Sequence, residues 1–187
     1  MAKKQLAHLF DATKCIGCQA CIVSCVETNY PEMVGRHIEG KNWLASNIRR
    51  YTANLAKRPV QLLVQCQHCS EAPCVETCPF GANYYDENGL VRNDPKRCIG
   101  CNYCIASCPY DARWSHPITG LPSKCMGSGC LERIEDGLQP ACVSVCPVSA
   151  RLFDPESDIS QKIRVAKTQK LLESHGTKPN FFVVVQK

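Results

Sequence analysis

The stretch RCIGCNYCIASCPYDAR, Arg97–Arg113, carries four cysteines in eleven residues: Cys98, Cys101, Cys104 and Cys108, with Pro109 after the last. Four thiols are enough for one metal centre, and whether these four share a centre or divide between two decides the architecture. The 187-residue chain has sixteen cysteines, and the other twelve fall into three similar groups. The first is Cys15, Cys18, Cys21 and Cys25, in CIGCQACIVSC. The second is Cys66, Cys69, Cys74 and Cys78, in CQHCSEAPCVETCP. The quoted stretch is the third, and Cys125, Cys130, Cys142 and Cys146 form the fourth, in CMGSGCLERIEDGLQPACVSVCP. Groups two, three and four end in Cys-Pro-x-x-Ala, at Cys78–Ala82, Cys108–Ala112 and Cys146–Ala150, whereas the first runs on as Cys25-Val-Glu-Thr. One small unit is used four times and altered most at the N-terminus.

An even cysteine count admits a disulfide framework, but neighbouring cysteines here are mostly three residues apart and recur in tight clusters, which suits a metal. Group three has the spacing Cys-x2-Cys-x2-Cys-x3-Cys-Pro of the bacterial ferredoxin run, and group one matches it apart from the proline. A structural zinc site usually takes two ligand pairs a longer span apart, whereas three cysteines within seven residues wrap three corners of a cubane. Covalent haem needs Cys-x-x-Cys-His, and Cys18, Cys69 and Cys101 precede Gln19, Ser70 and Asn102. Four groups of four therefore predict four 4Fe–4S clusters, because a cysteine-only cubane takes four thiolates. In two-cluster ferredoxins the fourth cysteine of a run ligates the other cluster. Paired runs predict the same three-to-one division here. Spacing alone does not force it, since Cys104 and Cys108 share one face of a helical turn.

The fold class expected is α+β, with short strands, short helices, long loops and cofactors filling much of the interior. AHLFDATKC before Cys15 and PVQLLVQC before Cys66 read as strands leading into cluster loops. Tyr84-Tyr85, Asn88-Gly89 and Leu90-Val91 read as a hairpin, because Asn-Gly suits a turn with positive φ. Cys104–Cys108 reads as one helical turn stopped by Pro109. Asp158–His175 reads as a helix with Ile159, Ile163 and Ala166 on one face, Leu171 at its edge and Gly176 as its stop. Residues 26–65 are a cysteine-free insertion without assignable chemistry. His68, inside group two, is expected to hydrogen-bond locally or lie at the surface. Trp43 and Trp114 are expected to pack in the core.

The hydrophobic fraction of 44% is that of a globular chain. The formal charge is +5. A thiolate-bound 4Fe–4S core carries about −2 when oxidised, so four contribute about −8 and bring the total to about −3. The 22 lysines and arginines then read as cluster compensation and solvated surface, not as a nucleic-acid patch. No signal-peptide apolar region is visible, Arg49-Arg50 lies too deep for an export twin-arginine, and the longest clean apolar run, Phe181–Val185, is strand-sized. No nucleophile–base arrangement stands apart from the cysteines, so no catalytic residue is expected.

In order along the chain, CIGCQAC, CQHC…APC, DENGLV…D…RCIGC and PACVSVCP resemble the four-cluster iron–sulfur electron-transfer subunits of the dimethyl sulfoxide reductase family, polysulfide- and thiosulfate-reductase type. The resemblance covers nearly the whole sequence. It implies nested pairing: Cys66, Cys69, Cys74 and Cys108 on one cluster, and Cys98, Cys101, Cys104 and Cys78 on the next. Cys15, Cys18, Cys21 and Cys146 would hold a third, and Cys125, Cys130, Cys142 and Cys25 a fourth. Tandem ferredoxin-like units follow: an inner one over 66–111, and an outer one over 1–65 with 112–187. The implied partners are a large molybdenum (or tungsten) pterin catalytic subunit and a membrane quinol-oxidising subunit or cytochrome. Co-export with the partner would put the chain on the outer (periplasmic) face of the bacterial inner membrane. The alternative is a cytoplasmic polyferredoxin-like subunit of a tungsten or molybdenum aldehyde or formate oxidoreductase, or of a hydrogenase complex. A zinc-stapled binding module is the alternative from another class. One departure matters: the family has Cys-x2-Cys at the start of group four, whereas Cys125-Met-Gly-Ser-Gly-Cys130 is two residues longer. Either its glycines let a longer loop close on the same cluster, or Cys125 or Cys130 is not a ligand.

Overall fold

The computed structural model describes residues 5–34, 46–55, 58–166 and 175–184; Trp43, Leu171 and Val185 lie outside them. The elements run β1 (Leu6–Asp11), α1 (Ala20–Asn29), β2 (Arg49–Leu55), β3 (Arg58–Val64), α2 (Pro73–Glu76), β4 (Asn83–Tyr85), β5 (Val91–Asn93) and α3 (Tyr103–Ala106). They continue with β6 (Arg113–Ser115), β7 (Pro122–Lys124), α4 (Ser128–Glu135), α5 (Ala141–Ser144), β8 (Arg151–Pro155), α6 (Glu156–Ala166) and β9 (Phe181–Val184). A 3-10 turn, Pro31–Met33, follows α1. Among the described residues no helix is long and apolar enough to cross a membrane.

The cysteine repeat is also a repeat of backbone. The third cysteine of every group is the second residue of a helix: Cys21 in α1, Cys74 in α2, Cys104 in α3 and Cys142 in α5. Three of these helices are four residues long. Pro79, Pro109 and Pro147 follow the fourth cysteine, and a proline disfavours the helical region for the residue before it. Group one has Val26 in that place, and α1 runs on to ten residues. After each Cys-Pro the chain turns through a left-handed residue, Gly81 at φ 59°, Asp111 at 47° and Ser149 at 49°. That turn sends the next two residues inward, and Ala82-Asn83, Ala112-Arg113 and Ala150-Arg151 are all buried.

β1 is the middle strand of a three-stranded sheet, antiparallel to β8 and parallel to β9. Its alternation divides two environments. Ala7 and Leu9 pack with Phe182, Val184 and Ile159 of α6. On the other face Phe10 packs with Cys21, Cys25 and Cys142, and Leu6 with Cys66, Cys125 and Cys130. The sheet therefore backs the cysteines, and α6 seals its far side.

The hairpin between groups two and three forms with Tyr85 opposite Val91. Its turn is wider than an Asn-Gly pair, because Asp86 Oδ1 accepts from the N–H groups of Asn88 and Leu90, both at 2.9 Å, and so keeps Leu90 out of the strand. The C-terminal helix starts at Glu156, two residues before its expected position, and is described to Ala166. Trp114 packs in the core with Tyr30 and Met33. The insertion 26–65 holds the end of α1 and the β2–β3 hairpin. A second short hairpin, β6–β7, and α4, whose Cys130, Leu131 and Ile134 pack on one side, were not expected from the sequence.

Candidate metal centres

Cysteines of different groups come together in the structure. Cys78, Cys98, Cys101 and Cys104 line one hollow with Phe80, Ile99 and Tyr103. Cys15, Cys18, Cys21 and Cys146 line another with Phe10, Leu63 and Arg151. In a third set, burial pushes the Cys69 thiol up to about 12; a hydrogen bond with Thr177 opposes this, and Cys66, Cys74 and Cys108 push it further. Elsewhere burial pushes Cys142 up to about 12, against the Arg151 charge, with Cys25, Cys130 and Cys21 adding to the rise. Cys125 is raised by burial, then by Cys142, Cys66, Cys25 and Cys130. Cys108 therefore sits with group two and Cys78 with group three, although each lies four residues from its own helical cysteine.

Thiols crowded and raised in this way favour their protonated forms, and a metal reverses that preference because it binds thiolate. All-sulfur sets of four fit a cubane.

The protein around the sulfurs supplies positive charge and N–H donors. Arg113 Nη2 lies 3.1 Å from Cys74 Sγ, and Nη1 donates to Asn83 Oδ1 at 2.9 Å. Arg151 donates to Gln65 Oε1 and the Leu63 carbonyl, both at 2.8 Å, and stacks over Phe10. Buried Lys124 donates through Nζ to the carbonyls of Val91 and Cys125. The Ala150 N–H donates to Cys146 Sγ at 3.2 Å. At Cys78 desolvation would raise the thiol, but hydrogen bonds from Asn83, Phe80 and Ala82 overcome it and the net shift is downward. None of these cations was legible as a site residue from cysteine spacing. The available signal was positional: Arg113 and Arg151 both follow a Cys-Pro-x-x-Ala unit directly.

The long start of group four meets the long helix of group one. Cys125 and Cys130 are both buried. Asn29, at the end of α1, accepts from the Cys130 N–H at 3.0 Å and donates to the Cys25 carbonyl at 2.9 Å. Its Nδ2 is 3.4 Å from Cys130 Sγ. A Cβ on Gly127 would stand 2.7 Å from Asn29 Oδ1, and one on Gly129 would collide with the Thr28 carbonyl. The glycines let the start of α4 approach the end of α1 closely. Cys125 also faces two buried imidazoles, and donor atoms of His8, His68 and Cys125 lie within 4.8 Å of one another. His68 accepts from the Val91 N–H at 3.1 Å, so it hydrogen-bonds locally and is not a surface residue. Burial, followed by the Arg151 charge, pulls His8 down to about 3 and keeps it neutral.

A family model described as a 4Fe-4S dicluster domain matches residues 61–156. The chain is 44% identical to the thiosulfate reductase electron transfer subunit PhsB of Salmonella typhi, over 84% of this chain and 80% of that protein. It is 38% identical to the B component of the polysulfide reductase of Wolinella succinogenes, over 100% of this chain and 97% of the relative. The B component of the tetrathionate reductase of Salmonella typhimurium is 36% identical over 96% of this chain and 72% of its own length. Sulfur sets suited to clusters, with likeness along nearly the whole chain to components of these reductases, lead to one conclusion: the chain belongs to the 4Fe-4S dicluster family as a non-catalytic iron–sulfur electron-transfer subunit.

Proposed function

We propose that the chain holds four 4Fe–4S clusters in two nested dicluster units and relays electrons between two partner subunits. Cys66, Cys69, Cys74 and Cys108 would hold one cluster and Cys98, Cys101, Cys104 and Cys78 another, forming the inner unit at 66–111. Cys15, Cys18, Cys21 and Cys146 would hold the third and Cys125, Cys130, Cys142 and Cys25 the fourth, in the outer unit at 1–65 with 112–187. The observation that carries this reading is the mixing of groups: Cys78 lines one hollow with three cysteines of group three, and Cys146 another with three of group one. Each cluster supplies a one-electron carrier, and tunnelling falls steeply with distance, so a short chain packed with four of them serves as a wire.

Two of the sets reach the surface. Cys18 and Cys101 are exposed, and Ile16, Ile99 and Tyr103 stand out beside them at 65%, 60% and 62% exposure. Apolar side chains around an exposed ligand suit a docked protein, which supports one partner at each end. Likeness to components of thiosulfate, polysulfide and tetrathionate reductases supports a place in a reductase complex, and the partner on one side is a large molybdenum (or tungsten) pterin catalytic subunit. The other is a membrane quinone-reactive subunit or cytochrome, and the complex stands on the outer face of the bacterial inner membrane after co-export.

The test is iron and acid-labile sulfide on anaerobically prepared protein, with Mössbauer spectroscopy. About sixteen irons per chain are expected from four cubanes. A stable, fully functional value near twelve would remove one cluster, and colourless zinc-loaded protein would overturn the reading.

A further inference from the structure

The three Cys-Pro-x-x-Ala units place a buried side chain in the same slot, five residues beyond the cysteine: Asn83, Arg113 and Arg151, exposed by 4%, 2% and 2%. In each case the slot faces the sulfur set to which that cysteine belongs. Asn83 lines the cavity of Cys78, Cys98, Cys101 and Cys104. Arg113 follows Cys108, which sits with Cys66, Cys69 and Cys74, and its Nη2 is 3.1 Å from Cys74 Sγ. Arg151 follows Cys146 and lines the cavity of Cys15, Cys18, Cys21 and Cys146.

Both guanidiniums are permanently charged, because arginine does not deprotonate in proteins. Among the described residues neither has a carboxylate within ion-pair distance. Their neutral contacts, Asn83 for Arg113, and Gln65, the Leu63 carbonyl and the Phe10 ring for Arg151, orient them without cancelling the charge. Arg151 Nε has no hydrogen-bond partner among the described residues. Burying an uncompensated cation is expensive, so the compensating negative charge belongs to the sulfur sets they face.

We propose that Arg113 and Arg151 are internal counter-ions that raise the reduction potentials of two clusters, Arg113 the one bound through Cys74 and Arg151 the one bound through Cys21. This rests on the four-cluster reading above. Reduction adds an electron to a site that is already anionic, and a fixed positive charge within contact distance stabilises the reduced form more than the oxidised form. Net charge and hydrogen bonds to sulfur are among the factors that set such potentials. The slot therefore adjusts the steps along the wire, with two clusters given an arginine and a third given a neutral asparagine.

The experiment is a redox titration followed by EPR on anaerobic, cluster-loaded protein whose iron content has been measured first. Arg113→Gln is expected to move one signal to lower potential and Arg151→Gln a different one, while Arg113→Lys and Arg151→Lys stay close to the parent. An isosteric variant tests the charge with the arginine left in place. Gln65→Glu puts a carboxylate against Arg151 and should lower the same signal as Arg151→Gln. Full iron with unmoved potentials in the Gln variants and in Gln65→Glu would overturn the proposal. Loss of the cluster from the Gln and Lys variants alike, with Gln65→Glu unmoved, would reduce the arginines to scaffolding and also overturn it. A parent protein with fewer than four cubanes would count against the four-cluster reading instead, and the charge shifts would still be read on the clusters present.

Discussion

Gly129 lies in the first turn of α4, where group four meets the end of α1, and a methyl group there meets the backbone carbonyl of Thr28. Backbone of one helix against backbone of another leaves little room to yield, so overpacking should cost about 1–3 kcal/mol. The displaced neighbour is Cys130, whose N–H is held by Asn29. Gly129→Ala is expected to lower the melting temperature of cluster-loaded protein and to lose iron, about a quarter of it on the proposed count of four clusters. Gly137→Ala is the comparison. That glycine has φ +74° but nothing within 4 Å of its notional Cβ, so it should cost about 1–2 kcal/mol of left-handed strain and keep its iron. Iron assay and thermal unfolding on both variants distinguish a packing role from a purely conformational one.

At the scale of the element, one proline decides how far a helix runs. α2, α3 and α5 end within a turn because Pro79, Pro109 and Pro147 cannot continue them. α1, with Val26 in that place, extends far enough to deliver Asn29 to group four. The helical cysteine and the fourth cysteine of a group lie four residues apart, yet in groups two and three they end in different sulfur sets. Cys108→Ala should therefore damage the same EPR signal as Cys69→Ala, while Cys98→Ala and Cys78→Ala should share another. If Cys98→Ala and Cys108→Ala removed one common signal and Cys78→Ala a second, each run would own its cluster.

For the whole molecule, thiols run through the interior. Among the described residues cysteines are members of three of the five hydrophobic clusters, with Phe10, Ile22, Leu63, Leu90 and Val91 packed around them. The segments from groups one and four, and from groups two and three, meet at these thiols. Ligation energy is then folding energy. Chelation of iron under reducing, anaerobic conditions should abolish the cooperative thermal transition and collapse the amide dispersion, as followed by circular dichroism and NMR. A chelated protein that kept both would mean that the sheet of β8, β1 and β9 with α6 is a sufficient core.

The sequence by itself determined the chemistry: sixteen cysteines in four groups, the ferredoxin spacing, the prolines that end the short helices, and strands leading into Cys15 and Cys66. These are local facts, set by covalent spacing and backbone preference within a few residues. Which cysteine stands beside which was decided only by the tertiary structure, since an i,i+4 pair such as Cys104 and Cys108 has the same local geometry whether it serves one centre or two. The buried cations were hidden for a related reason. The sequence points to cluster compensation among its 22 lysines and arginines without naming Arg113, Lys124 and Arg151, because burial of a charge depends on what the rest of the fold brings against it. The left-handed turns at Gly81, Asp111 and Ser149 aim the two arginines and Asn83 inward, and the sulfur sets they face are assembled by contacts tens of residues apart.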